Sequence, residues 1–198
     1  LNIIKNGPGE RRRFIDLELC QLNKIYLYNL SNYNKAVNQR NKLLKDLYYH
    51  PEYEEMLELW DEQMVSYGQK IIRDRENFVK VLDGIAKRVH AKLSGNKEEL
   101  SIRYEKSVEP EQFLEILKKN RERDKKFKMT FSGPHRDDLS FMAGNIDIRK
   151  FGSQGQQRTV ALSLKLAEID FVRREIKDTP VLLLDDVLSE LDSRRQSY

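Results

Sequence analysis

The sequence predicts an α/β fold, a mix of helix and strand, with a helical insertion that contains a long antiparallel helical hairpin. Three observations predict it. Apolar residues recur on 3–4 spacing through residues 30–93 with one break, at His50-Pro51. Short alternating segments follow, Leu100, Ile102 and Tyr104 among them. A glycine–glutamine segment, Phe151-Gly152-Ser153-Gln154-Gly155-Gln156-Gln157-Arg158-Thr159, precedes a helical stretch and then an apolar run, Val181 to Leu184, that ends in Asp185-Asp186. The expected division is an entering helix or linker over 1–29, a helical insertion over 30–130, and a portion over 131–198 that holds both motifs. Within the insertion the hairpin takes 30–93, and a strand with a basic helix takes 98–126.

In chain order, Gly7-Pro8-Gly9 reads as a turn. Glu10 to Gln21 reads as a helix with apolar residues at Phe14 and Leu17 and at Ile15, Leu19 and Leu22. Three arginines, Arg11, Arg12 and Arg13, occupy its first turn, where they oppose the helix dipole. They are either solvated or answer a phosphate or a carboxylate. In the hairpin, Leu30, Tyr33, Val37, Leu44 and Leu47 form the first stripe. Pro51 suits the first turn of a second helix, with Leu57, Trp60, Met64, Tyr67, Ile71, Phe78, Val81 and Ile85 along it. Gly68 and Gly84 inside that helix each weaken it by about 1 kcal/mol relative to alanine. Such a hairpin is either a packed subdomain or a projecting arm, and the width of the stripe favours packing. Ser94-Gly95-Asn96 ends it.

Pro110 opens a helix with Phe113, Leu114, Ile116 and Leu117, whose end is basic: Lys118, Lys119, Arg121, Arg123, Lys125, Lys126 and Lys128. Cations suit a helix C-terminus on dipole grounds, so this run is a solvated face or a phosphate-backbone contact. Phe127, Met129 and Phe131 alternate as a strand. Ala143-Gly144-Asn145 reads as a hairpin turn between Leu139–Met142 and Ile146–Ile148. Thr159 to Ile176 reads as a helix, and Val181 to Leu184 as a buried strand.

The chain has 198 residues with 39% apolar and 34% charged, enough for a core beneath a heavily solvated surface. A net charge of +4 is mildly basic and compatible with nucleic acid. One cysteine, Cys20, excludes an intrachain disulfide and leaves the cytoplasm as the expected compartment. No apolar run approaches the roughly 20 residues of a membrane-spanning helix. Both ends read as cut from a longer chain.

The chemistry concentrates near the C-terminal side. A buried strand ending in two carboxylates places them where open α/β sheets bind ligands. Asp185 suits Mg²⁺, directly or through water, because hard cations take oxygen ligands. Asp186, on the opposite side of the strand, suits orienting or deprotonating a water that attacks a γ-phosphate. The bland alternative is a strand followed by a polar cap and turn. Ser153 and Gly155 sit before a helix N-terminus, where free N–H groups attract anions. Gln154, Gln156 and Gln157 add neutral donors and Arg158 a charge. This is not a Walker A loop: Gln157 stands where its second glycine belongs, and no Gly-Lys-Ser/Thr occurs in the chain. His135-Arg136-Asp137-Asp138 on the Gly133-Pro134 turn has the composition of a metal site. Adjacent residues rarely converge on one ion, so a salt-bridged turn is favoured.

These features resemble the SMC-like branch of the ABC-type ATPases. Ser153-Gln154-Gly155-Gln156 is similar to the signature loop, Leu182 to Asp186 to the Walker B strand, and Ser189-Glu190-Leu191-Asp192 to the D-loop. Within that branch the chain resembles the RecF family through Gly7-Pro8-Gly9-Glu10-Arg11-Arg12-Arg13-Phe14-Ile15-Asp16, Ser132-Gly133-Pro134-His135-Arg136-Asp137-Asp138-Leu139, and Asp185 through Asp192. Asp186 departs from the glutamate usual at the end of Walker B.

The resemblance implies an ABC/SMC-like ATPase head portion over 131–198. It implies ATP and Mg²⁺ as cofactors in the full-length protein, and DNA as partner, single-stranded, gapped or at a junction. An ATP-dependent homodimer, action with RecO and RecR in loading recombinase, and roles in repair, replication and the SOS response are implied too. On this pattern Ser153, Gln154, Gly155, Gln156 and Asp192 meet nucleotide, partly in trans. Asp185 holds the metal and Asp186 is catalytic. The shorter Asp186 is expected to slow hydrolysis, and this chain alone, lacking the phosphate loop, is expected to be inactive. Arg11, Arg12, Arg13, Lys118, Lys119, Arg121, Lys125 and Lys126 are the candidate DNA contacts. Two other readings stay open, another SMC-like ABC ATPase head and a non-enzymatic protein-interaction module.

Overall fold

The computed structural model describes residues 2–176. The expected strand Val181–Leu184, together with Asp185, Asp186 and Asp192, lies outside the described residues. The described elements run α1 (Asn2–Lys5), α2 (Pro8–Leu22), α3 (Lys24–Asp46), α4 (Met56–Ser94), β1 (Leu100–Glu105), α5 (Phe113–Lys119), α6 (Arg121–Phe127), β2 (Asp138–Ala143), β3 (Ile146–Asp147), α7 (Ile148–Phe151) and α8 (Gln154–Ile176). A three-stranded sheet has the order β1-β2-β3, with β3 antiparallel to β2 in the register Met142↔Asp147 and Ala143↔Ile146. Helix with a small sheet is the expected α/β class. No described helix is long and apolar enough to cross a membrane.

The chain divides into two compact units. One, here the helical unit, takes Pro8–Phe78 and Tyr104–Leu139. The other, the sheet unit, takes the residues up to Gly7, Val79–Arg103 and the residues from Ser140 onward. The division therefore falls within α4, elsewhere than the boundaries at 30 and 130 that periodicity suggests.

In the helical unit α2 buries Arg11, Ile15, Glu18 and Leu19 on one face, which leaves Leu17 outside. Helix α3 starts where Asn23 accepts hydrogen bonds from the backbone of Ile25 (2.9 Å) and Tyr26 (3.2 Å), the side-chain cap that satisfies otherwise orphaned N–H groups. Pro51 opens a 3₁₀ turn, Pro51–Glu55, and the long helix begins only after it. Leu43, Leu44 and Leu57 close the hairpin end, with Leu47 and Trp60 packed against them. Farther along, the rings of Tyr33 and Phe113 lie between two glycines. A Cβ on Gly68 would stand 2.6 Å from Phe113 Cε1 and 3.1 Å from Tyr33 Cε2, and one on Gly133 would stand 2.7 Å from Phe113 Cζ. Gly133 also has φ +123°, which disfavours any side chain.

Arg40 is fully buried in this unit. Its Nε donates to Asp61 (2.6 Å), and its Nη1 donates to Asp124 (2.7 Å) and to Thr130 Oγ1 (2.8 Å). Nη2 has no hydrogen-bond partner among the described residues. Arg121 donates to the second oxygen of Asp61 at 2.9 Å. Burial raises the Asp124 carboxyl above its ordinary pKa even though Arg40 opposes this.

The strand expected at Phe127, Met129 and Phe131 does not form. The backbone N–H of Thr130 donates to the Asn41 side chain (2.8 Å) and that of Phe131 to Asp124 (3.2 Å), so side chains take the bonds a ladder would need. Phe127 instead ends α6, and Lys128 caps it in the left-handed region.

In the sheet unit α4 presents Leu82, Ile85, Ala86 and Leu93 to the core, while Val81 faces out. Leu100, Ile102, Phe141, Ile148, Val160, Leu164 and Phe171 complete that core. The β2–β3 turn is tied down where Gly144 N–H donates to the Glu99 carbonyl at 3.0 Å.

Two outcomes follow from this packing. Gly68→Ala is expected to destabilise by about 1–3 kcal/mol, because overpacking outweighs the gain in helix propensity. Gly84→Ala, whose Cβ meets nothing within 4 Å, is expected to stabilise by about 1 kcal/mol. Urea unfolding of both variants checks the pair, and equal signs would contradict it. Arg40→Met is expected to cost about 3–5 kcal/mol by stranding buried carboxylates. The same measurement checks it, and a loss below about 1 kcal/mol would contradict it.

Candidate functional site

The glycine–glutamine segment is not a loop throughout, as the sequence suggests: from Gln154 on it is the start of α8. Asp147 caps α7 by accepting from Arg149 N–H at 3.0 Å. The chain then doubles back at Gly152. A Cβ there would lie 2.7 Å from the Ile148 carbonyl oxygen, so only glycine lets α7 and α8 meet this closely. Ser153 precedes α8. Its Oγ accepts from Gln156 N–H (3.2 Å), while Gln156 Oε1 accepts from Ser153 N–H (2.9 Å). This reciprocal pair is a capping box, and it satisfies two orphan donors.

The glutamines therefore divide by role. Gln156 also donates through Nε2 to Glu98 (2.7 Å), and Gln157 donates to the Ile148 carbonyl (3.2 Å). Each amide commits one of its two N–H donors to fixing the turn. Ser153, Gln154 and Gly155 are exposed. The N–H groups of Gln154 and Gly155, at the positive end of a 23-residue helix, have no acceptor among the described residues. The Ser153 hydroxyl proton remains available, since Oγ serves only as an acceptor in the box. A Cβ on Gly155 would have Ser153 Oγ as its one neighbour within 4 Å, at 4.0 Å. Nothing inside the described chain requires glycine there.

Helix α8 is held from beneath. Thr159 Oγ1 donates to the Gly155 carbonyl (2.8 Å) and Ser163 Oγ to the Thr159 carbonyl (2.7 Å). With its proton committed, Ser163 accepts from His90 Nδ1 at 3.0 Å, which fixes that nitrogen as the protonated one. Sequence reading assigned no role to His90, Ser163, Glu98 or Gly152. A lone histidine at helical spacing carries no visible signal of its partner.

The arginine triplet separates as well. Arg11 is buried and paired in two-pronged fashion with Asp138, Nε at 2.5 Å and Nη2 at 3.0 Å. Arg12 donates to the Asp137 carbonyl at 2.8 Å, and Arg13 is exposed. In the basic run Lys118, Arg121 and Lys125 pair with Glu58, Asp61 and Glu54, while Lys119, Arg123, Lys126 and Lys128 point to solvent without an ion pair among the described residues.

The His135–Asp138 turn is a bonded knot. Asp137 accepts from the Tyr104 hydroxyl and from Ser107 N–H, and Arg136 reaches the Thr130 carbonyl at 2.8 Å. Among the described residues no acidic, histidine or cysteine cluster is arranged to hold a metal ion. His135 Nε2 lies 3.1 Å from the Thr130 carbonyl, which can only accept. Nε2 therefore carries a proton, and in the neutral ring Nδ1 accepts from the Tyr33 hydroxyl at 2.6 Å. Burial, with Arg136, Arg12 and Arg40 nearby, pushes its pKa from 6.5 down to about 4, against the pull of the Thr130 carbonyl.

Comparison with known proteins agrees with this architecture. No family model matches the chain. The protein named DNA replication and repair protein RecF of Agathobacter rectalis is 58% identical over 198 residues, all of this chain and 55% of that protein. The protein of the same name in Lachnoclostridium phytofermentans is 57% identical over 197 residues, again 55% of its length. A solved structure described as the recombination mediator protein RecF with ATP in the RecFOR pathway superposes with a TM-score of 0.93. It shares 37% identity and is covered over 55% of its length by the whole of this chain. The chain thus spans about half the length of the curated relatives it matches, and in both sequence and fold it is similar to that half of the RecF proteins.

Because the folded pKa of His135 lies below the unfolded value, its contribution to stability is present above pH 6.5 and lost as pH falls toward 4. The wild-type stability is expected to fall by about 3 kcal/mol relative to His135→Gln across that interval. Urea unfolding of both proteins at pH 7.5 and 4.5 measures it, and a constant difference would refute a neutral buried ring.

Proposed function

We propose that this chain belongs to an ATP-dependent DNA-binding protein of recombinational gap repair and replication, acting in the cytoplasm as a homodimer that closes on nucleotide. The observation that carries the proposal is the exposed first turn of α8. It offers the N–H groups of Gln154 and Gly155, the Ser153 hydroxyl and a glycine with open space over its Cα, all at a helix N-terminus. That donor set fits a terminal phosphate approaching from outside the chain. Similarity over the full chain to RecF proteins, one of them described with ATP, supports the same reading.

On this proposal ATP supplies a phosphate that two protein copies share. Ser153, Gln154 and Gly155 reach it from one copy. Gln156 acts by holding that turn in shape and not by touching nucleotide. Asp185 holds Mg²⁺ and Asp186 orients the attacking water in the other copy, with Asp192 at the junction. Slow hydrolysis is expected, because an aspartate at 186 is one methylene shorter than the glutamate usual at the end of Walker B. The 198 residues alone, with no Gly-Lys-Ser/Thr loop among them, do not hydrolyse ATP. DNA lies along basic surface, and RecO and RecR cooperate in loading recombinase.

The test uses a chimera in which these 198 residues replace the matching segment of the Agathobacter rectalis relative. Gly155→Gln fills the space above the turn while remaining compatible with helix. ATP-dependent dimerisation, followed by sedimentation velocity, is expected to weaken about 10-fold or more, the equivalent of one lost charged hydrogen bond. ATP binding by the monomer and the melting temperature are expected to be unchanged. Dimerisation that persists in the variant would defeat the proposal.

A further inference from the structure

The basic run is sorted by what covers each cation. Lys118, Arg121 and Lys125 are neutralised by carboxylates of the hairpin, Glu58, Asp61 and Glu54. Arg123, Lys126 and Lys128 have no ion pair among the described residues, and each stands over an aromatic ring. Arg123 Cζ is 4.2 Å from the centroid of Phe131, Lys126 Nζ is 5.7 Å from that of Phe127, and Lys128 Nζ is 4.9 Å from that of Tyr48. The rings adjoin in pairs, Phe127 edge-on to Phe131 at 5.6 Å and Tyr48 edge-on to Tyr49 at 5.0 Å. Tyr48, Tyr49 and Phe127 are nonetheless 73%, 76% and 57% exposed. Large rings left this open add little to the core, and together with unneutralised cations they mark a recognition surface.

Lys128 gives a second, independent sign. It caps α6 with φ 54° and ψ 36°, its N–H bonded to the carbonyls of Asp124 and Lys125, and Met129 N–H returns to Asp124 at 3.1 Å. This closing turn normally takes glycine, because a side chain is strained there. Lysine occupies this cap, and from it the ammonium reaches the Tyr48 ring.

Building on the DNA-binding reading above, we infer that Tyr48, Tyr49 and Phe127, with Arg123, Lys126 and Lys128, form a stacking platform for single-stranded nucleic acid. Unpaired bases lie on the exposed rings, and the cations beside them meet the phosphates. Duplex does not fit this chemistry, since its bases are already stacked on one another and offer no face to a ring.

The chimera decides the matter by fluorescence anisotropy with an oligothymidylate strand and with a duplex of equal length. Tyr48→Ser and Phe127→Ser are each expected to weaken single-strand binding about 5- to 100-fold while leaving duplex binding within about twofold. Lys128→Gly is expected to lower the slope of log affinity against log salt by about 0.7 for the single strand. Its melting temperature is expected to be equal or higher, because glycine suits the left-handed cap, so a loss of binding there is not unfolding. Single-strand affinity unchanged in all three variants overturns the inference. So does an equal loss for duplex, which reports backbone charge alone. Variants that bind DNA normally but lose affinity for a glutamate-rich peptide overturn it too, in favour of a protein-docking surface. Failure of the unmutated chimera to bind either DNA brings down the DNA-binding reading itself, a result distinct from the loss of the platform alone.

Discussion

A guanidinium without access to water governs the helical unit. Arg40 lies between Asp61 on α4 and Asp124 on α6, with Thr130 against the same nitrogen. Removing such a charge from water costs several kcal/mol and is tolerated only where partners surround it. Three consequences follow. Helices α3, α4 and α6 are locked in one register. Asp124 takes the Phe131 N–H with its other oxygen, which denies residues 127–131 a strand. Asp61, with one oxygen on Arg40, turns the other to Arg121 and so draws one face of the basic run against α4. The opposite face, at Arg123 and Lys126, is left to solvent and to aromatic rings.

The sheet unit reaches a comparable outcome with neutral groups. From His90 the bonds pass through Ser163 to the Thr159 carbonyl, and from Thr159 Oγ1 to the carbonyl of Gly155. Both hydroxyl donors end on carbonyls, which can only accept, and Ser163 thereby offers His90 a lone pair, so the side chains below the first turn of α8 have a single bonding pattern. Above it the capping box fixes Ser153 and Gln156. What remains free is narrow: two backbone N–H groups and one hydroxyl proton, aimed outward. A turn held this firmly loses little freedom when an anion arrives, which is how preorganisation strengthens binding.

Much of this was legible in the sequence, because the signals were local. The 3–4 stripes gave both hairpin helices, and alternation at Leu100, Ile102 and Tyr104 gave β1. The Ala143-Gly144-Asn145 turn gave the β2–β3 hairpin. Failures came where a distant side chain overrode a local pattern. Phe127, Met129 and Phe131 alternate as a strand should, but Asn41 and Asp124 hold their backbone from far along the chain. Gly68 looked like a weak point in a helix, yet it makes room for Phe113 and Tyr33. The unit boundary inside α4 leaves no trace, because a continuous helix has no break in composition. At the candidate site the segment was found but its division of labour was not. Nothing in the sequence says that Gln156 closes a box toward Ser153 and Glu98 while Gln154 stays open.

A common logic connects the two candidate surfaces. Each begins as a run of one residue type, glutamines around Gly155 and cations from Lys118 to Lys128, and within each run the fold takes about every second member for itself. Gln156 and Gln157 shape the turn; Lys118, Arg121 and Lys125 answer the carboxylates of the hairpin. Residues consumed this way cannot serve a ligand without giving up a bond inside the protein, a penalty that comes straight out of affinity. Those left over, Gln154 and Gly155 in one run and Lys119, Arg123, Lys126 and Lys128 in the other, carry no such penalty. Counting charges or amides along the sequence therefore overstates a binding surface by the members already satisfied. Lys128 carries the argument furthest: it bears the strain of a left-handed cap, pairs with no carboxylate among the described residues, and reaches only an exposed ring.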